Sequence, residues 1–195
     1  MQKDLLTGEL VRLTAVDQQQ TTEIYSRWTR DSEFWRLLAS DISLPQSKRQ
    51  TAAWTKKWQE KDDPDNFSFS IRTLDSDQII GDIGLDGVQW NHGDTFVGIA
   101  IGERDFWGKG YGTDAMRIIL RYAFTELNLW RVSLDVFEYN PRAIRSYEKV
   151  GFVHEGRQRQ GLNRAGKRWD MIFMGVTRQE WQRLYPVLTN QPEAE

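Results

Sequence analysis

The chain has no cysteine. That excludes disulfides, thiolate metal sites and a cysteine acyl-enzyme, and it suits a reducing, cytoplasmic setting. Long apolar runs are also missing: none approaches the ~18 residues of a membrane span. Met1-Gln2-Lys3-Asp4 lacks the basic-then-apolar pattern of a secretion signal. No membrane partner is therefore expected. Only two histidines are present, His92 and His154, far apart in the chain and without ligand spacing, so no metal site is expected. An excess of one charge is lacking too. Lys and Arg number 26 against 28 Asp and Glu, a net charge of −2, so no broad cationic field points to nucleic acid.

What is present is a single-domain complement. At 195 residues, with 39% hydrophobic and 28% charged residues, one well-filled core is expected. The nine tryptophans read first as core filling.

Leu10-Val11-Arg12-Leu13 reads as a first strand, and Asp17 as the cap of a helix through Ile24, Tyr25 and Trp28. Phe34 to Leu38 suggests a second helical piece. Pro45 through Trp58 suggests a third, with Trp54 and Trp58 on one face. Lys61 to Asn66 is a polar loop. A strand meander follows: Phe67-Phe69-Ile71, then Ile79 to Gln89, then Thr95 to Ile101 after the turn Asn91-His92-Gly93-Asp94. Ala115, Ile118, Ile119, Tyr122, Ala123 and Leu127 keep helical spacing. Arg131 to Glu138 alternates as a strand, and Asn140 to Val150 is helical, stopped by Gly151. A long hairpin, Phe152 to Leu162 and Lys167 to Val176, closes the domain.

Between the meander and its helix stands Phe106-Trp107-Gly108-Lys109-Gly110-Tyr111-Gly112-Thr113-Asp114. Glycines opening a helix expose unpaired N–H groups at the positive end of the helix dipole, which makes an anion site. A Walker A loop is excluded, because Lys109 is followed by Gly110 and the spacing from Gly102 is wrong. A dinucleotide fingerprint is excluded by glycines two apart and by the preceding antiparallel run. A glycine-rich turn without a ligand stays open on this loop alone.

The loop resembles the pyrophosphate motif of the GNAT acetyltransferases, Gln/Arg-x-x-Gly-x-Gly/Ala, with Gly110 and Gly112 in the glycine places. Trp107 stands where Gln or Arg is usual, a departure similar to the RimJ/RimL-like branch that acetylates ribosomal-protein N-termini. A second block, Asn140-Pro141-Arg142-Ala143-Ile144-Arg145-Ser146-Tyr147-Glu148-Lys149-Val150-Gly151-Phe152, resembles the family's later motif. The resemblance covers residues 8–180 as one domain and leaves 181–195 as a C-terminal tail. It implies an α/β (α+β) fold: a mixed, mostly antiparallel central sheet of about seven strands flanked by helices.

It also implies acetyl-CoA as co-substrate, a primary amine as acceptor (a peptide N-terminus or a small amine) and a homodimer. A non-catalytic acetyl-CoA sensor is the competing class. The donor site carried over comprises the Ile99, Ala100 and Ile101 backbone, Trp107, Gly108, Lys109, Gly110, Tyr111, Gly112, Thr113, Asn140, Arg142 and Tyr147. Asn140 and Tyr147 share a helix face ~10 Å apart, a length that suits a pantetheine arm. Tyr147 is assigned as general acid. Asp82, Asp86, Glu103 and Asp135 remain alternative bases. The acceptor is expected between the Trp28 to Trp58 helices and the basic last hairpin of Arg157, Arg159, Arg164, Lys167 and Arg168.

Overall fold

The computed structural model describes residues 4–59 and 64–186, apart from the side chains of residues 54 and 56–59. The expected Trp54–Trp58 face, part of the polar loop and the end of the chain lie outside the described residues. In order come β1 (Val11–Thr14), α1 (Gln18–Trp28), α2 (Ser32–Leu38), α3 (Lys48–Gln59), β2 (Phe67–Thr73), β3 (Ile79–Gln89), β4 (Asp94–Ile101), α4 (Tyr111–Arg121), β5 (Arg131–Phe137), α5 (Pro141–Glu148), β6 (Val153–Arg164), β7 (Lys167–Thr177) and α6 (Arg178–Leu184). Asp17 caps α1 as expected, its carboxylate accepting from Gln20 N–H.

The strands form a seven-stranded sheet in the order β1-β2-β3-β4-β5-β7-β6. Every neighbouring pair is antiparallel except β4 with β5. That parallel pairing is short. It joins Asp94, Thr95 and Phe96 to Arg131, Val132 and Ser133, and then the two strands part. β3 and β7 keep their pairing on either side, so the sheet splits between β4 and β5.

The sheet separates two cores, and the main one runs across the split. On one face, Ile83, Leu85 and Val97 join Ile118, Ile119, Leu134, Val136, Met174 and Trp181 in the main cluster under α4. On the other face, Ile79 and Ala100 pack with Tyr25, Trp28 and Phe34 of α1 and α2. A Cβ at Gly102 would fall inside the Trp28 indole, so glycine there lets α1 lie close on the end of β4.

One buried carboxylate ties the chain's start to the glycine loop. Asp114, in the first turn of α4 and 4% exposed, accepts from Glu9, Leu10 and Val11 N–H at 2.9, 2.8 and 3.1 Å, all on Oδ2. At the far end of α4, Arg121 donates to the Leu5 and Thr7 carbonyls. The two side chains hold one segment by its donors and its acceptors.

The domain does not end at residue 180. Thr177 and Glu180 form a capping box, and Trp181 buries its ring on Phe124 and Tyr185, so α6 carries the packed chain to Leu184. The expected run through Leu127 leaves the α-helix at Arg121 and finishes as a π turn, Tyr122–Glu126.

Asp114→Ala leaves three N–H groups without their acceptor. Urea unfolding is expected to show a loss of about 3 kcal/mol with an unchanged slope. A loss below ~0.5 kcal/mol would mean that the segment is held elsewhere.

Candidate active site

Past Phe96 the β5-facing edge of β4 has no strand partner. Alternate residues of Val97–Ile101 therefore turn backbone N–H and C=O groups into the split. The resulting cleft measures about 410 Å³. Val97 to Ile101 form one wall, Asp135, Val136 and Phe137 the other, with α5 alongside and Phe34, Leu37 and Leu38 of α2 at its mouth.

Both lips of the split are fastened. Trp107 Nε1 donates to the Ile101 carbonyl at 2.6 Å, and Gly102 N–H donates to Ile80, fixing the end of β4. Beyond β5, Glu138 N–H donates to the Asp170 carbonyl, and Tyr139 Oη donates to the Arg36 carbonyl of α2 at 2.8 Å. Arg164 adds bonds from the last hairpin to the Ala39 and Asp41 carbonyls at 2.8 and 2.6 Å. Arg157 pairs with Asp170. These two arginines of the basic hairpin thus hold the frame.

The glycine loop lies at the same end. Gly108 and Gly110 have φ of 73° and 94°, left-handed values that L side chains rarely adopt, and Gly110 caps α4. Gly108, Gly110, Gly112 and Thr113 line the cleft. Thr113 Oγ1 lies 2.7 Å from Ser146 Oγ, tying the start of α4 to α5.

Ile99, Ala100, Ile101, Trp107, Asn140, Arg142 and Tyr147 also line the cleft. Lys109 and Tyr111 do not. Lys109 is exposed, and the Tyr111 ring packs edge-on against Phe106, with centroids 4.8 Å apart. Asn140, which does line the cleft, has a second task. Its Oδ1 accepts from Ala143 N–H at 3.2 Å and caps α5, so the acceptor half of the amide serves the helix. Its NH2 remains for the cleft. Of the helices between Trp28 and Trp58 expected on the acceptor side, α2 lines the mouth, while the Trp28 ring is 4% exposed in the second core.

Tyr147 and Asp135 meet at the split from opposite faces. Val132, Leu134 and Val136 point into the main core, where Tyr147 also packs, so the intervening Ser133 and Asp135 point the other way. On that reverse face Asp135 stands opposite Phe173, and Ser133 opposite Phe96, the two rings being 38% and 50% exposed. Burial, then the nearby Asp135 charge, pushes the Tyr147 phenol up to about 12. Partial desolvation against the strand wall raises the Asp135 carboxyl above its ordinary value, although the side chain keeps an exposed side. Of the other candidate bases, Asp82 accepts from the Tyr25 phenol in a small space under α1, away from the cleft. Glu103 accepts from Arg27 and from Trp28 Nε1. Asp86 faces the open side of β3 opposite Phe96.

Residues 10–153 match the family model described as an acetyltransferase (GNAT) domain. The chain belongs to the GNAT acetyltransferase family. It is 30% identical over 177 residues to the SPbeta prophage-derived uncharacterized N-acetyltransferase YokL of Bacillus subtilis (strain 168), covering 90% of this chain and 94% of that one. The putative ribosomal N-acetyltransferase YdaF of the same organism is 35% identical over 79 residues, 40% of this chain and 43% of that one. The spermidine N-acetyltransferase of Vibrio cholerae, solved with CoA and spermine, shares the fold with a TM-score of 0.76. Its identity is 22%, over 88% of this chain and 97% of that one.

Within this GNAT domain, two features escaped sequence reading. An acid in a first helical turn, as at Asp114, is a helix-dipole signal; that it grips Glu9 to Val11 needed the fold. Arg142 stacks on Trp107 with its guanidinium carbon 3.8 Å from the ring centroid, a contact between residues far apart in sequence.

Burial, with the Asp86 charge nearby, pushes Asp82 from 3.8 up to about 7. The folded state therefore holds a proton that the unfolded chain releases, and this contribution to stability falls as pH rises from about 3.8 to about 7. Asp82→Asn removes the titration while keeping a carbonyl for Tyr25. Its stability relative to the parent is expected to increase across that window and then level off; parallel pH profiles would contradict the assignment.

Proposed function

We propose that this protein moves the acetyl group of acetyl-CoA to a primary amine by direct attack within a ternary complex. The observation that carries the reading is the split itself: an unpaired strand edge, a glycine loop at one end, and a phenol and a carboxyl reaching it from opposite faces. The edge suits an extended pantetheine arm held by backbone hydrogen bonds, as an added strand would be. The glycine loop and the start of α4 suit the diphosphate.

The residues divide the proton work. Asp135, on the open face, takes a proton from the amine, directly or through water, as its nitrogen bonds to the thioester carbon. A β4 N–H steadies the carbonyl oxygen as it gains charge. Tyr147, protonated throughout the neutral range, gives its proton to the sulfur as the C–S bond breaks. The products are an N-acetyl amine and free CoA.

The acceptor reading follows the RimJ/RimL-like branch: a peptide N-terminus, supported by the Trp-Gly-Lys-Gly-Tyr-Gly-Thr loop and by the similarity to YdaF. An N-terminal amine has a pKa near ~8 and needs only modest help to lose its proton. A second reading, a polyamine, is favoured by Asp86 and Asp135 beside exposed Phe96 and Phe173 on the reverse face. A panel of N-terminal peptides and polyamines, with free CoA as readout, separates the two.

Tyr147→Phe is expected to lower kcat about ten-fold or more while leaving acetyl-CoA affinity near the parent value. Asp135→Asn is expected to remove the acid limb of the kcat/KM profile, a limb displaced above the ordinary carboxylate range because partial desolvation raises that pKa. Unchanged turnover in Tyr147→Phe, or an unchanged acid limb in Asp135→Asn, would remove that residue from the reaction.

A further inference from the structure

The cations of the cleft come from α5 and the residue that caps its end. Arg142, Arg145 and Lys149 line it, while Lys109 of the glycine loop does not. Arg145 and Lys149 are exposed; Arg142 is half-buried. Beside it, Arg104 is neutralised, with Nη2 2.7 Å from Asp31 Oδ1 and 2.8 Å from Glu33 Oε2. Arg142 has no such partner: among the described residues no carboxylate lies within ion-pair distance of it.

Its neighbour is the Trp107 ring, 3.8 Å away. That indole is itself anchored through Nε1 to the Ile101 carbonyl, so the surface under the guanidinium is fixed. Stacking occupies the flat face of a guanidinium and leaves its in-plane N–H donors for an anion. Trp107 also directly precedes Gly108, so the stacked cation lies at the start of the glycine loop. A partly desolvated cation that a π-face steadies, and that feels the Glu33 charge only beyond ion-pair distance because Glu33 pairs with Arg104, is suited to receive an anionic ligand.

We propose that Arg142, levelled by Trp107, donates to the diphosphate of the acetyl donor and completes the backbone cradle with the cation that the loop lacks. The inference rests on the cleft being the donor site. Trp107 then acts as a positioning residue for Arg142 and as the clip on the end of β4.

The test is calorimetric titration of the full chain with CoA and with dephospho-CoA, which keeps the diphosphate and lacks the 3′-phosphate. Arg142→Gln is expected to weaken both by about ten-fold and to the same degree. It is also expected to flatten the salt dependence of CoA binding. Arg142→Lys, which keeps the charge without the flat stack, is expected to fall between the two. Loss with CoA alone would place Arg142 on the 3′-phosphate and overturn the proposal. No loss with either ligand would overturn it, and so would a loss with unchanged salt dependence, which marks a role in cleft shape only. A parent protein that binds neither ligand would instead sink the donor-site reading on which the inference rests.

Discussion

The site depends on a pairing that stops. β4 and β5 share three residue pairs and then separate, although each keeps its partner on the other side. A sheet gains from continuous pairing, and unpaired strand edges are usually covered. Here the gap is held open by anchors at both lips. Trp107 and Gly102 fix the end of β4, and Glu138 and Tyr139 draw the chain after β5 toward β7 and α2. The exposed peptide edge is the cleft's main hydrogen-bonding resource, and no side-chain motif encodes it.

The split also separates the chemistry. A phenol on the core side stays protonated because burial and a nearby carboxylate both oppose its ionisation. A carboxyl on the reverse face has its proton affinity raised by partial desolvation. The phenol's shift keeps it in the acid form until sulfur departs, and the carboxyl's shift, while favouring its protonated form, makes the ionised group a stronger base, closer in affinity to an amine. The other two engaged carboxylates, Asp82 and Glu103, hold α1 to the sheet through Tyr25, Arg27 and Trp28. They support the second core rather than the reaction.

Much of the fold was legible in the sequence. Alternation marked β2 and β5, helical spacing marked α4, and a C-terminal glycine marked the end of α5. The glycine loop and the Asn140–Tyr147 block located the cleft from opposite sides. Long-range partnerships were not legible. Local patterns could not show that Asn140 Oδ1 caps its own helix, that Tyr111 turns onto Phe106, or that Trp28 fills the second core. Nor could they separate four carboxylates of similar local setting, because the face each occupies depends on strand pairing. Residues 181–184 read as tail because seven residues give too weak a helical signal to stand alone; burial of Trp181 is what orders them.

Amide hydrogen exchange along β4 tests the use of this free edge most directly. On adding acetyl-CoA, alternate amides within Val97–Ile101 should slow by about ten-fold or more as the unpaired edge gains hydrogen bonds. Protection confined to the glycine loop and α4, with β4 exchanging as before, would contradict the placement of the pantetheine arm in the split.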